Sequence, residues 1–298
     1  MRKLYLLALF SALALLTLGS PALAESRIEK DLTLAPNGRF VLDSDAGSVT
    51  VTGTPKPGAH VVITSNRDDL EKLFDFSFEG GPSLARVTVR KKYGWGFMHH
   101  LNLHFEVQVP SQTGTSLRTG GGSVKVFGLR GDSDLKTSGG SIEVSGLNGH
   151  LDAETSGGSI HLQEVTGDTR VHTSGGSINV TALEGSLRAS TSGGPIHIDR
   201  VTGFVEAKTS GGSIHVNFDR GNTHGGDLET SGGSINVALD PSVNLDVDAS
   251  TSGGSVRCDM PVRVVGTIKS SRLDGKMGSG GEMLRLRTSG GSIHISAL

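Results

Sequence analysis

A single cysteine, Cys258, is the only thiol in the 298-residue sequence. An internal disulfide is therefore excluded, and in an oxidising compartment the fold must be stable without one. Aromatic residues are scarce as well, at 4% with one tryptophan against 44 glycines. That balance disfavours helices carrying bulky cores and favours short strands joined by tight corners. Charge of one sign does not dominate: 28 Lys and Arg against 30 Asp and Glu leave a formal net charge of −2. With no cluster of cations to neutralise phosphates, nucleic acid is not expected as a partner. Beyond residue 24 there is no long apolar run, so no second membrane segment is expected.

The one apolar stretch comes directly after Met1, Arg2 and Lys3 and ends in a small-residue segment containing Ala22 and Ala24. It is about 16 residues long, short of the ~20 needed to span a bilayer. Residues 1–24 therefore read as a secretory signal peptide cut after Ala24. No cysteine lies near the cut, so attachment of lipid there is not expected. The mature chain is expected to be exported, periplasmic or extracellular, and not membrane-spanning.

A repeat dominates the C-terminal three-fifths of the chain. TSGG begins at Thr137, Thr155, Thr173, Thr191, Thr209, Thr230, Thr251 and Thr288, preceded by TGGG at Thr119. The first five steps are 18 residues, the next two are 21, and the last is 37, which reads as two units with a degenerate copy near residues 269–281. Within one unit the apolar residues alternate at Ile142 and Val144, then at Leu151 and Ala153. Period two means strand, and glycines at Gly139, Gly140 and Gly149 mark the corners between strands. Two short strands and two corners make one coil, and a lone coil can neither bury its apolar face nor pair its backbone. The predicted architecture is all-β, a β-solenoid of stacked 18-residue coils over residues 119–298. An N-terminal β region, residues 25–118, is expected to cap it, with GSVTVTG at Gly47 as a degenerate copy of the repeat strand.

Stacking turns each repeat position into a column along the axis. Inward columns are Ile142, Ile160, Ile178, Ile196, Ile214 and Ile235, with Leu151, Leu187 and Val205 opposite. One outward column reads Asp152, Arg170, Arg188, Glu206; another reads Glu143, His161, Asn179, His197, His215, Asn236, Arg257, His294. Cys258 falls at an inward position, as a small apolar residue.

Sites must be sought outside the repeat logic or on its columns. His161, His197 and His215 are metal candidates, but zinc wants at least three protein donors and asparagines interrupt the run; no metal or other cofactor is expected. The GG of each unit is followed by Ser and Ile, without the aspartate of calcium-binding β-rolls, and Asp43-Ser-Asp45-Ala-Gly47 lacks the acidic ligand and helices of an EF-hand. Tyr93, Trp95, Phe97, Met98, His99 and His100 concentrate in one loop, either a contact surface for sugar, peptide or membrane or the folded-back core of the cap. The two three-residue insertions place Asp219, Arg220 and His224 beside Asp240 at one corner, a candidate ledge for docking. Asp199 and Glu206 are the carboxylates to weigh for hydrolysis, but they stand in different columns without an insertion to form a cleft. No GxSxG, HExxH or phosphate-cradling loop is present, so an enzyme is not expected.

The GSVTVTG element, the FEVQVP strand leading into TGGGSVKV, the serial TSGGSI units and the closing GGEMLRLRTSGGSIHI together resemble the bacterial "putative adhesin" family, domain of unknown function 4097. The resemblance implies an exported or envelope-associated β-repeat protein and carries over no catalytic residue. The expected function is non-enzymatic: a solenoid surface for adhesion or other binding at the cell envelope, to a protein or a cell-wall polysaccharide. Self-association through the C-terminal edge is the further expected contact. The alternative is an envelope stress-sensing or regulatory protein responding to pH, metal or lipid.

Overall fold

The computed structural model describes residues 26–92, 101–264 and 269–298; the expected signal peptide lies outside them. The chain opens with strands β1 (Ser26–Leu32), β2 (Arg39–Ser44), β3 (Ser48–Thr54) and β4 (Ala59–Ser65). A single helical turn, α1 (Leu70–Leu73), precedes β5 (Phe74–Gly80), β6 (Leu84–Lys91) and β7 (Leu103–Pro110). The repeats then supply strand pairs: β8 (Gly114–Thr119) with β9 (Val124–Phe127), β10 (Ser133–Thr137) with β11 (Ile142–Asn148), β12 (Leu151–Thr155) with β13 (Ile160–Thr166), and β14 (Thr169–Thr173) with β15 (Ile178–Glu184). They continue as β16 (Leu187–Thr191) with β17 (Ile196–Val201), β18 (Val205–Thr209) with β19 (Ile214–Phe218), and β20 (Gly226–Thr230) with β21 (Ile235–Leu239). The chain closes with β22 (Leu245–Thr251), β23 (Val256–Cys258), β24 (Arg263–Val264), β25 (Arg272–Met277), β26 (Glu282–Thr288) and β27 (Ile293–Ala297).

Each coil sends one strand to each of two sheets, of 13 and 14 strands, and the molecule is the β-solenoid that the repeat predicts. Successive coils pair in parallel with like residues opposite: Ile142 to Ile160, Ile160 to Ile178, Ile178 to Ile196, Ile196 to Ile214, Ile214 to Ile235. These isoleucines and their partners Leu151, Leu187 and Val205 are fully buried between the sheets. Alternation puts every second side chain inside, which is why the same sequence pattern gives a continuous core along the stack.

The TSGG corner closes the stack through two devices. The threonine hydroxyl accepts the amide of the glycine three residues on and donates to a glycine carbonyl of the preceding coil, as in Thr155 to Gly140 at 2.8 Å. The second glycine is required sterically: a Cβ on Gly176 would overlap the carbonyl of Gly158 in the coil below. At the opposite bend the column Gly128, Gly146, Glu164, Ala182, Arg200 is left-handed throughout, with φ between 54° and 67°.

At the N-terminal end, the GSVTVTG strand β3 lies between β7 and β9, and β2 lies between β6 and β8. The first coil in sequence is thus second in space, and strands β6 and β7 are stacked outside it. The expected boundary at residues 118 and 119 falls inside β8, and both sheets run through it. Strands β1 and β5 finish the two sheets there, with Phe76 stacked on Phe78 at 6.5 Å and Lys30 over the Phe78 ring at 5.9 Å.

The C-terminal end corrects two expectations. Residues 269–281 do not form a degenerate coil: β25 runs antiparallel to β22 and covers its outer edge. The last repeat is not the end of the rod either, because β26 inserts between β20 and β22, and β27 between β21 and β23. The 37-residue step gives the chain length to go out, turn, and return to an inner slot. At this end of that sheet the outermost strand is β23, which pairs with Ile293–Ile295 of β27, while Ser296 and Ala297 pair with β21 on the other side.

Candidate functional site

The rod has two outer faces of unlike chemistry. On the 14-stranded sheet the outward column runs Asp152, Arg170, Arg188, Glu206, Asp227, Arg285, in the register expected for its first four members. Its neighbour runs Glu154, His172, Ser190, Lys208, Glu229, Arg287. These charges pair with one another: Lys136 with Glu154 at 3.2 Å, Arg188 with Glu206 at 3.3 Å, Lys208 with Glu206 at 2.8 Å, Arg287 with Asp248 at 2.6 Å. The Lys208 ammonium, helped by Arg188, holds the Glu206 carboxyl below the usual carboxylate range. Such a face is solvated and internally compensated.

The 13-stranded sheet differs from β13 to β27. One outward column there reads His161, Asn179, His197, His215, Asn236, His294, and the next reads Gln163, Thr181, Asp199, Asn217, Ala238, Ser296. One carboxylate, Asp199, paired with Arg200 at 3.4 Å, stands in a strip whose other side chains are His, Asn, Gln, Thr, Ser and Ala. Its side chains bond along the columns, with Asn217 donating to Asp199 at 3.2 Å and the Asn179 amide 3.3 Å from the His161 Nδ1. The His197 and His215 rings lie on adjacent rungs, 5.5 Å apart and tilted by 44°. The insertion of the last repeat reorders the end of this column, so that Asn236 meets His294 and His294 meets Arg257. His294 is engaged by Asp259 at 2.7 Å.

Of the metal candidates, His197 and His215 are brought together, while the Asn179 rung separates them from His161. Among the described residues no three His, Cys, Asp or Glu side chains converge on one point. Asp199 and Glu206 lie on different sheets, β17 and β18, and do not form a carboxylate pair. Asp43 and Asp45 both hold Arg90, and Asp45 also accepts the Lys91 amide at 2.8 Å. They line a groove of about 640 Å³ with Arg118 and Lys136. Cys258 is half-buried, its thiol contacts the Met260 carbonyl at 3.5 Å, and burial raises its pKa, so it is a packing residue with little thiolate.

The two insertions fall at the β19–β20 and β21–β22 corners; β19 and β21 are neighbouring strands, but β26 lies between β20 and β22. Arg220 contributes to lowering the Asp240 carboxyl, but the larger cause is Ser242, whose amide and hydroxyl both donate to it at 2.8 and 2.7 Å. The residue that organises the first corner is one that sequence reasoning missed. Asn222 is buried, donates to the carbonyls of Val201 and Gly203 at 2.9 and 3.0 Å, and accepts the His224 amide at 2.8 Å. An asparagine inside an otherwise unpatterned loop was the available signal. The aromatic loop candidates Tyr93, Trp95, Phe97, Met98, His99 and His100 lie outside the described residues. Their segment joins β6 to β7, the connection that TSGG makes in the repeats.

The chain matches the family model described as Toastrack DUF4097 over residues 39–296. Among solved structures it is similar to one described as a "putative adhesin" from Bacteroides fragilis, at 12% identity and a TM-score of 0.43, covering 93% of this chain and 99% of that one. It is similar also to a "putative adhesin" from Parabacteroides distasonis, at 13% identity and a TM-score of 0.44, covering 92% and 97%. A third, from the same species, is described as a "putative lipid binding protein", at 12% identity and a TM-score of 0.41, covering 92% and 96%. No curated protein sequence matches the chain.

Proposed function

The chain belongs to the Toastrack DUF4097 family, and we propose that it is an exported, non-enzymatic β-solenoid that binds a partner surface at the cell envelope. The observation that carries this reading is the register of the outward columns from β8 to β27, shifted once, after Asp199 in β17, which offers the same side-chain positions on rung after rung. A surface of this kind binds by summing many weak contacts rather than by enclosing a substrate. The separation of Asp199 from Glu206 supports the absence of catalysis. Among the described residues no helix is long and apolar enough to cross a membrane, which is compatible with display outside the cytoplasm. Either an envelope protein or a wall polysaccharide could supply the partner.

The test is co-sedimentation of the purified mature chain with intact cells and with isolated envelope. Saturable retention on one of them is expected. Retention on neither at high micromolar concentration overturns the proposal.

A further inference from the structure

The C-terminal end of the rod is built unlike any repeat. Thr288 donates to Gly233 across 55 positions where the regular repeats span 15, which leaves residues 240–279 in excess of one coil. Without them β21 would lead to β26 as β19 leads to β20, because β26 is the next rung on β20 and meets β21 across the core as consecutive strands of a coil do. The regular rod therefore ends at β26 and β27, and residues 240–279 are an excursion from its last bend that folds back over that end. Loops longer than about 15 residues are either disordered or functional, and this one is ordered in β22, β23, β24 and β25.

What the excursion covers is a pairing edge. β26 and β27 are seven and five residues long, and β22 and β23 pair along their outer sides. Under that cover Leu284, Leu286, Ile293 and Ile295 close the core, all of them fully buried. Laid open, such an edge is a template for strands of another chain, and its apolar side chains add to the gain on pairing. The excursion presents a blunt end instead. Its own outermost strands are β24, of two residues, and β23, of three. β25 runs antiparallel to β22 and so breaks the succession of parallel coils. Arg257 beside Asp259 and Arg272 beside Asp274 add charge there. Short edge strands carrying charge are devices that keep sheets from joining. The opposite end of the rod uses another one: Lys30 shares the inward parity of Ile28 and Leu32 in the edge strand β1, and its ammonium lies over the Phe78 ring.

We propose that residues 240–279 are an end cap that holds the β26–β27 edge closed, and that the partner they exclude is a second copy of this chain. The uncapped edge is self-complementary. β26 and β27 run in opposite directions on opposite sheets, so a two-fold axis along the strands sets β26 of each copy antiparallel to β27 of the other. Leu284 and Leu286 of one copy then meet Ile295 and Ile293 of the other, Arg285 meets His294, and the core continues from rod to rod. In the capped chain that edge is held by side chains as well as backbone: Arg287 donates to Asp248 and to Ser250, both at 2.6 Å, and His294 bonds Asp259 at 2.7 Å. The proposal is independent of what the faces of the rod bind.

The experiment is sedimentation velocity of the mature chain over a range of micromolar concentrations, with and without the cap. Deleting residues 240–279 joins Leu239 to Gly280 and restores the regular step between Thr230 and Thr288. The deletion chain should keep its strand circular dichroism and a cooperative melt, and should self-associate about tenfold or more tightly than wild type. Amides of Glu282–Thr288 and Ile293–Ala297 should be protected from hydrogen exchange in the associated form and lose that protection on dilution. Val247→Asp is the second variant. It opens the cap in place by burying a carboxylate opposite Leu284, leaves β26 and β27 intact, and should shift association in the same direction. A folded deletion chain that associates no more tightly than wild type overturns the proposal, as does association that brings no protection to β26 and β27. Should the deletion chain not fold, Val247→Asp decides: association equal to wild type overturns the proposal.

Discussion

Thr251 donates its hydroxyl to the carbonyl of Gly291 at 2.7 Å, a residue 40 positions later in the chain. In the regular repeats the same bond reaches 15 positions back, as from Thr173 to Gly158. Thr288 in turn donates to Gly233 at 2.7 Å, 55 positions earlier. These two bonds mark the slot into which the last repeat is inserted. The coil that would be terminal by sequence order is held on both sides.

That placement predicts the cost of truncation. A chain ending at residue 281 loses β26 and β27 and separates the coil ending at β21 from the coil beginning at β22. Amide exchange should become fast at those amides of Leu245–Thr251 that face β26, while those paired with β25 stay protected, and the urea midpoint should fall. Retained protection at the β26-facing amides would contradict the insertion. Thr251→Val and Thr288→Val should each cost about 1–3 kcal/mol, since each leaves a carbonyl and a glycine amide without their partner.

The two glycines of one corner should respond differently to a methyl group. Gly176→Ala places its Cβ into the Gly158 backbone and should destabilise by about 2–4 kcal/mol. Gly175→Ala meets its nearest atom at 3.5 Å and should stay within about 1 kcal/mol of wild type. Equal effects in urea denaturation would refute the stacking argument.

The left-handed column offers a gain. Ala182 has φ 58° where Gly146 in the same column has φ 67°. Ala182→Gly relieves the strain of a Cβ in that conformation, offset in part by the flexibility glycine adds to the unfolded chain, for a net stabilisation of about 0.5–1 kcal/mol. Gly146→Ala should cost about 1 kcal/mol by the same reasoning. A loss on Ala182→Gly would show that the strain is absent.

Acid should weaken the fold in a way tied to particular pairs. Arg90 lowers the Asp43 carboxyl, Lys208 lowers that of Glu206, and His294 lowers that of Asp259. A carboxyl whose folded pKa lies below its unfolded one contributes stability above the unfolded value of about 4, and loses it as the pH falls through the folded value. The urea midpoint should therefore drop below about pH 4, and Arg90→Met should make that drop shallower. A slope unchanged by the substitution would remove Asp43 from the account.

The core, the register and the outward columns were legible because an 18-residue period fixes which side chains superpose. Sequence order carries no information about the order of coils in space, and that is why residues 269–281 read as a degenerate coil and the last repeat as the end of the rod. The left-handed bend was hidden because Glu164, Ala182 and Arg200 occupy positions where Gly128 and Gly146 had advertised it. Asn222 was hidden because its partners, Val201 and Gly203, belong to the preceding coil. The contrast between the two faces was present in the columns, but it became visible only with both sheets placed side by side.

The most direct test of a surface that binds by repetition is to shorten it in register. Removing residues 155–172 takes out one coil, and removing 155–190 takes out two, each joining Glu154 to the threonine of a later TSGG. Measured by co-sedimentation with isolated envelope, affinity should fall stepwise, with each deletion weakening retention while the shortened rods stay folded. Affinity that is untouched by both deletions, or abolished by the first in a folded protein, would contradict the account and point to one discrete site.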